Sequence, residues 1–330
     1  MSYLRGFYLL TITAAVLPLI FPDNYYVTVV GVTAALHAIL AVSLNLLMGY
    51  AGQISLGHAG FFGIGAYASA ILTTRYGWNP WPAILAGLGL TAVVAFTLAR
   101  PILRLKGHYL AMATLGLGII INIVLVQAGK FTGGPDGLGG IPSLSLFGWS
   151  VDSDLRWYIV IVSVLLVVVW LALNIINSRS GRALRALHGS EVAAEMMGIN
   201  TTATKTGVFV LAALIASLAG SLFAYQQAFV SPDSFSFFFS IELVTMVVLG
   251  GMASTYGAII GAIILTFLPE LLVVFEDYEV MIFGAILMLM MIFLPQGLFV
   301  GLQHLLRRLT RDRRTAIDAA EAGESGRGAA

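Results

Sequence analysis

An all-α, polytopic transmembrane helical bundle of about ten helices is what this sequence predicts, and three observations carry the prediction. Charged residues make up 10% of the chain and hydrophobic ones 59%, whereas soluble domains hold about 25% charged residues. Apolar runs of bilayer-crossing length, about 20 residues, recur from end to end, and mean hydropathy is +0.94. The Lys and Arg residues gather in alternate gaps between the runs, as the positive-inside rule requires. Because the runs are continuous, they do not read as the alternating strands of a transmembrane barrel.

Taken in order, the runs are 6–22, 26–49, 57–74, 82–104, 108–128, 157–176, 206–229, 236–251, 255–272 and 279–300. The first meets Pro22-Asp23 without a small-residue cleavage site, so it reads as an uncleaved helix. The second and third are separated by AGQISLGHAG (51–60), a polar, glycine-rich interruption that some helices of the bundle would break at. The gap 129–156 is rich in Gly, Pro and Ser, which predicts turns. GGMAST (250–255) divides the long stretch 236–272 into two crossings. That division places both termini in the cytoplasm together with Arg5; Arg100, Arg104 and Lys106; Arg179, Arg182, Arg185 and Lys205; and the Arg-rich 307–314, leaving Arg75, Lys130 and Arg156 outside. A single crossing would put the basic tail outside. The chain therefore divides into a membrane domain, 1–306, and a basic, then disordered, cytoplasmic tail, 307–330.

Several chemistries are excluded. There is no cysteine, hence no disulfide framework or thiolate site. No phosphate loop, HExxH, EF-hand loop or nucleophile elbow occurs. The sequence offers no catalytic residues, no metal site and no cofactor of its own, and nothing favours nucleic acid.

Four features carry possible function. Within AGQISLGHAG, the polar side chains and glycines fit either a translocation path, where non-helical backbone survives beside a cavity, or a packing turn. In SRSGRALRALHGSEVAAEMMGIN (178–200), Ser180 and Ser190 read as N-caps and Gly189 and Gly198 as stops of two short helices. Arg182 and Arg185 lie three apart, Glu191 and Glu195 four apart on one face; the pair suits a docking element or a solvated connector. Glu242, inside an apolar run, marks either a functional carboxylate or an interfacial one. Finally, 247–265 echoes 46–67 as helix, glycine-rich break and Gly/Ala-rich helix, in the same orientation.

The stretch SLNLLMGYAGQISLGHAGFFGIGAYASAIL (43–72) resembles branched-chain amino acid ABC permeases of the LivM type. The resemblance continues through KGHYLAMATLGLG (106–118), TGGPDGLGGIP (132–142), the 180–200 loop, VVLGGMASTYGAIIGA (247–262) and LPQGLF (294–299). It implies a subunit of an importer in the bacterial inner membrane. Its partners would be a homologous LivH-type permease, two ATPase subunits of the LivG/LivF type that bind ATP, and a periplasmic amino acid-binding protein. It implies ATPase coupling through Arg182, Arg185, Glu191, Glu195 and Gly198. A weakly polar path for a zwitterion makes Asn45, Gln53, Ser55, Gly57, His58 and Glu242 its candidate residues. Urea and short-amide permeases resemble the same motifs, and a stand-alone secondary transporter is the alternative of a different class.

Overall fold

The computed structural model describes residues 2–20, 24–146, 149–273, 278–293, 297–298 and 301 of the 330. Expectations for 307–330, the tail, lie outside the described residues. Helices dominate: α1 (Ser2–Ile20), α2 (Tyr26–Tyr50), α3 (His58–Tyr76), α4 (Pro80–Ile102), α5 (His108–Gln127), the single turn α6 (Gly129–Thr132) and α7 (Asp154–Asn177). They continue as the short pair α8 (Arg179–Gly189) and α9 (Glu191–Met196), then α10 (Thr201–Gln227), α11 (Phe237–Gly250), α12 (Thr255–Leu272) and α13 (Glu279–Phe293). Every predicted apolar run carries a helix. Among the described residues, six helices, namely α2, α4, α5, α7, α10 and α12, are long and apolar enough to cross a bilayer. The apolar segments Gly6–Pro18 and Phe237–Gly250 are shorter. The chain is thus an all-α, multi-pass membrane protein.

Boundaries depart from the apolar runs where polar residues open a helix. α7 starts at Asp154 rather than 157, capped by Ser153, and α10 starts at Thr201 rather than 206, capped by Asn200 Oδ1. Hydropathy discards such first turns, although capping satisfies their free N–H groups. The 129–156 gap holds the single turn α6, a 3-10 turn at Gly134–Asp136 and irregular backbone, with two minimal ladders. β1 (Leu138–Gly139) pairs antiparallel with β4 (Phe229–Val230), and β2 (Ser145–Leu146) with β3 (Trp149–Ser150).

α2 and α10 form the centre. Ile39, Leu40, Ala41, Leu44, Ala216 and Ala219 are all fully buried. α4, α5 and α7 bury one side and expose residues such as Leu85, Val93, Ile120, Val124 and Trp170. Lipid is as apolar as leucine, so burial of such side chains does not drive helices together; close packing of small residues and interhelical hydrogen bonds do. The α3–α10 contact follows that rule. Gly65 lies directly against the Ser217 carbonyl and Gly220 against the Phe62 carbonyl, positions where a Cβ would not fit. Ser69 Oγ donates to Ser221 Oγ (2.8 Å), and Thr91 Oγ1 of α4 donates to Ser217 Oγ (2.9 Å). A seam of small hydroxyl residues and glycines therefore holds α3, α4 and α10 as one unit.

Candidate functional site at the glycine-rich break

α2 is an α-helical body, Gly31–Asn45, flanked by the π turns Tyr26–Val30 and Leu46–Tyr50. π turns are rare and recur at functional sites. The second one runs straight into the break 51–57, which has no regular structure. Gly52 there adopts φ +68°, left-handed backbone that glycine adopts without steric penalty.

The break and the helix ends that flank it are wired to three neighbouring elements. The Leu56 N–H donates to Thr114 Oγ1 of α5 (3.1 Å), and Gly57 sits on the Thr114 carbonyl so closely that no Cβ would fit. The first turn of α3 lacks a cap of its own; Ser240 Oγ of α11 accepts the Ala59 N–H instead (3.3 Å). A second break, 251–254, separates α11 from α12 and lies beside the first: Asn45 Oδ1 accepts the Ala253 N–H (3.0 Å), and Tyr50 Oη meets Thr255 Oγ1 (3.4 Å). The two echoing segments thus meet at their interruptions. Leu56, Gly60, Gly118, Phe235, Ser236 and Ser240 line a narrow crevice between the first break, α5 and the start of α11.

The predicted path residues divide by what already occupies them. Asn45 is engaged with Ala253. His58 is 2% exposed, and its Nε2 lies 2.6 Å from Ser43 Oγ. Ser43 Oγ gives its own proton to the Leu40 carbonyl (2.7 Å), so Nε2–H is the donor to that oxygen. Gln53 donates from Nε2 to the Ala51 carbonyl (3.2 Å), which leaves Oε1 buried without a partner. Ser55 is 2% exposed and its Oγ also has none. Among the described residues the buried side-chain atoms without partners are these two and Gln226 Oε1. Each such group costs about 1–3 kcal/mol, and two of the three fall within one short break. Glu242 lies apart from it in the second turn of α11, half-buried.

The other predicted cluster lies on α8 and α9. Ser190 caps α9 as expected, Oγ accepting the Ala193 N–H, and Gly198 follows it at φ +79°. Ser180 is not the cap of α8; Ser178 is, its Oγ accepting the Ser180 N–H (3.1 Å). Ser178 already has extended backbone, as an N-cap needs. Glu191 and Glu195 both turn toward the bundle. Glu191 binds Lys205 Nζ of α10 (2.6 Å) and Lys106 Nζ (3.6 Å), and Glu195 Oε1 accepts from Thr201 Oγ1 (2.7 Å). Partial burial pushes the Glu191 carboxyl up, but the hydrogen bond and charge of Lys205 and the charge of Lys106 outweigh it and hold the group below its ordinary 4.5. Arg185 Nη2 donates to the Ile176 carbonyl (3.0 Å), and Arg182 is exposed. What α9 presents outward is Val192, Met196 and Met197, the methionines each 83% exposed.

A profile described as "Branched-chain amino acid transport system / permease component" matches residues 26–294. The chain belongs to that family. It is 39% identical over 289 residues to the high-affinity branched-chain amino acid transport system permease protein LivM of Salmonella typhimurium, covering 80% of this chain and 67% of that protein. It is also similar to LivH of Escherichia coli K12, a permease protein of the same description, at 26% identity over 293 residues (81% and 92% of the two chains). The fructose import permease protein FrcC of Rhizobium meliloti is 29% identical over 251 residues (72% and 66%). No solved structure gives a significant match. Sequence reasoning singled out neither Ser43, Thr114 nor Ser240, the three hydroxyls that hold the break. Nothing distinguishes them locally, since their partners lie on other helices or a turn away.

Proposed function

We propose that this chain is the membrane-spanning permease subunit of an ATP-driven ABC importer that moves branched-chain amino acids delivered by a periplasmic binding protein. The observation that carries the reading is the family match across 26–294. In this reading α1–α5, α7 and α10–α13 make ten crossings, both termini face the cytoplasm, and the α8–α9 end, with exposed Arg179, Arg182 and Arg185, faces inward. The LivM and LivH likenesses support pairing with a homologous second permease. Two ATPase subunits bind and hydrolyse ATP; this chain takes no cofactor itself.

The ATPases dock on α8–α9. Arg182 and the apolar tip Val192, Met196 and Met197 are free to meet a partner, whereas Arg185, Glu191, Glu195 and Gly198 shape and anchor the loop. Gln53 and Ser55 face the solute: an unclaimed amide oxygen and hydroxyl suit an ammonium group, and their open valences are otherwise unexplained. Asn45, Gly57 and His58 frame that segment, and Glu242 stands on α11 two residues beyond Ser240. The similarity to a fructose permease makes substrate the part to test first. The complete assembly, reconstituted in proteoliposomes with its binding protein, should take up leucine only with ATP, and neither urea nor fructose. Uptake by this chain alone on an ion gradient, or preference for urea, would sink the reading.

A further inference from the structure

One contact joins the two candidate regions directly. Gly52, in the break, has no side chain, and His188 at the end of α8 lies against it, both at the surface. A Cβ built on Gly52 would lie 3.1 Å from His188 Nδ1 and 3.4 Å from its Cα. α8 also packs on the π turn Leu46–Tyr50 that leads into the break. Its other end is fixed to α7. Gly181 sits against the Ile176 carbonyl, Arg185 bonds the same carbonyl, and Leu184 and Leu187 are buried. α8 is therefore a short strut with one end on α7 and the other on the break.

We infer that His188 is a positioning residue that transmits displacement of α8 into the break 51–57 through Gly52. This rests on the importer reading, in which α8–α9 receives the ATPases' motion. The break is the receptive element for physical reasons. Its backbone is non-helical, the adjoining π turn has weaker hydrogen-bond geometry than an α-helix, and a single side-chain hydrogen bond, Leu56 N–H to Thr114 Oγ1, ties the break itself to α5. A shift at Gly52 would thus reach Gln53 and Ser55 before it reached any rigid helix body.

The chain has no cysteine of its own, so within it two introduced cysteines can pair only with each other, and the test uses the full assembly with its binding protein. His188→Ala should retain ATPase co-purification and ATP hydrolysis while uptake per ATP falls about tenfold, within the range of ordinary coupling free energies. The double variant Gly52→Cys with His188→Cys, oxidised to a disulfide, should restore uptake per ATP, and reductant should abolish the gain. Unchanged uptake per ATP in His188→Ala overturns the inference, as does failure of the disulfide to restore it. Loss of the ATPases from His188→Ala assemblies also overturns it, because His188 would then be a docking residue. Failure of the importer reading is separable: the unmodified assembly would show no ATP-driven uptake.

Discussion

Asn45 and Ala253, 208 positions apart in sequence, are joined by a 3.0 Å hydrogen bond from the Ala253 N–H to Asn45 Oδ1. The bond fastens the end of the α-helical body of α2, just ahead of the first glycine-rich break, to the second break. It also stabilises an unusual backbone, since Ala253 sits at φ +59°, where a Cβ costs about 1–2 kcal/mol. Asn45→Ala leaves that N–H unsatisfied, at about 1–3 kcal/mol. It should lower the melting temperature of the purified protein in detergent. Ala253→Gly relieves the strained angle and should raise it. Equal melting of both variants and the parent would show that the junction contributes nothing.

The α3–α10 seam predicts a contrast between glycines. A Cβ at Gly220 would meet the Phe62 carbonyl, and one at Gly57 the Thr114 carbonyl, whereas Gly116 and Gly207 have nothing within 4 Å. Gly220→Leu should prevent accumulation of folded protein in the membrane, because overpacking against backbone costs about 1–3 kcal/mol or more. Gly57→Ala should block uptake without releasing the ATPases. Gly116→Ala should be neutral or slightly stabilising, since alanine is the better helix former. Membrane yield, size-exclusion profile and uptake distinguish the three.

How far these elements were legible depends on the range of the interactions that make them. Helices α2 to α5, α7 and α10 to α12 follow from local hydropathy, α8 and α9 from caps and glycine stops, and the split at 250–255 from the placement of charge. The caps at Ser190 and Asn200 are local and belong to short sequence patterns, although Ser178 shows that neighbouring serines compete for one cap. The π turns and the Ser178 choice depend on backbone geometry that composition does not encode. The break itself was visible as a polar glycine-rich run, but not what it touches: Thr114, Ser240, Ala253 and His188 all come from other elements. The orientation of Glu191 and Glu195 was missed for the same reason. Their four-residue spacing places them on one face without saying that Lys205 and Thr201 of α10 make it the inner one.

Glu191 gives a pH prediction. Its carboxyl is held below the ordinary 4.5, chiefly by Lys205 against the opposing effect of burial. A carboxyl depressed in the folded state contributes stability above its unfolded value and loses it as pH falls through the folded one. The α9–α10 attachment should therefore be intact at pH 7 and loosen below about pH 4.5, a change that acid protease cleavage near 190–200 detects. The side chain of Lys205 is 3% exposed and that of Lys106 68%. Glu191→Ala, which strands the buried Lys205 charge, should destabilise on the order of 3 kcal/mol. Lys106→Ala should cost less than about 1 kcal/mol. Similar losses from both would refute the assignment of Lys205 as the principal partner.

Ser55 separates a role in the fold from a role in transport. Its hydroxyl is buried and unpartnered, so in the resting protein it is a liability of about 1–3 kcal/mol. Ser55→Ala removes that liability and should leave melting unchanged or raise it. If the hydroxyl meets the solute's ammonium group, the same variant loses a charge-assisted hydrogen bond, and the transport KM should rise about tenfold or more. Gln53→Leu, which removes the second unclaimed oxygen, should act in the same direction. The split is what matters: a stabilised protein with impaired uptake identifies a group kept for its ligand. Normal uptake in both variants would assign the break to packing and leave the path elsewhere in the bundle.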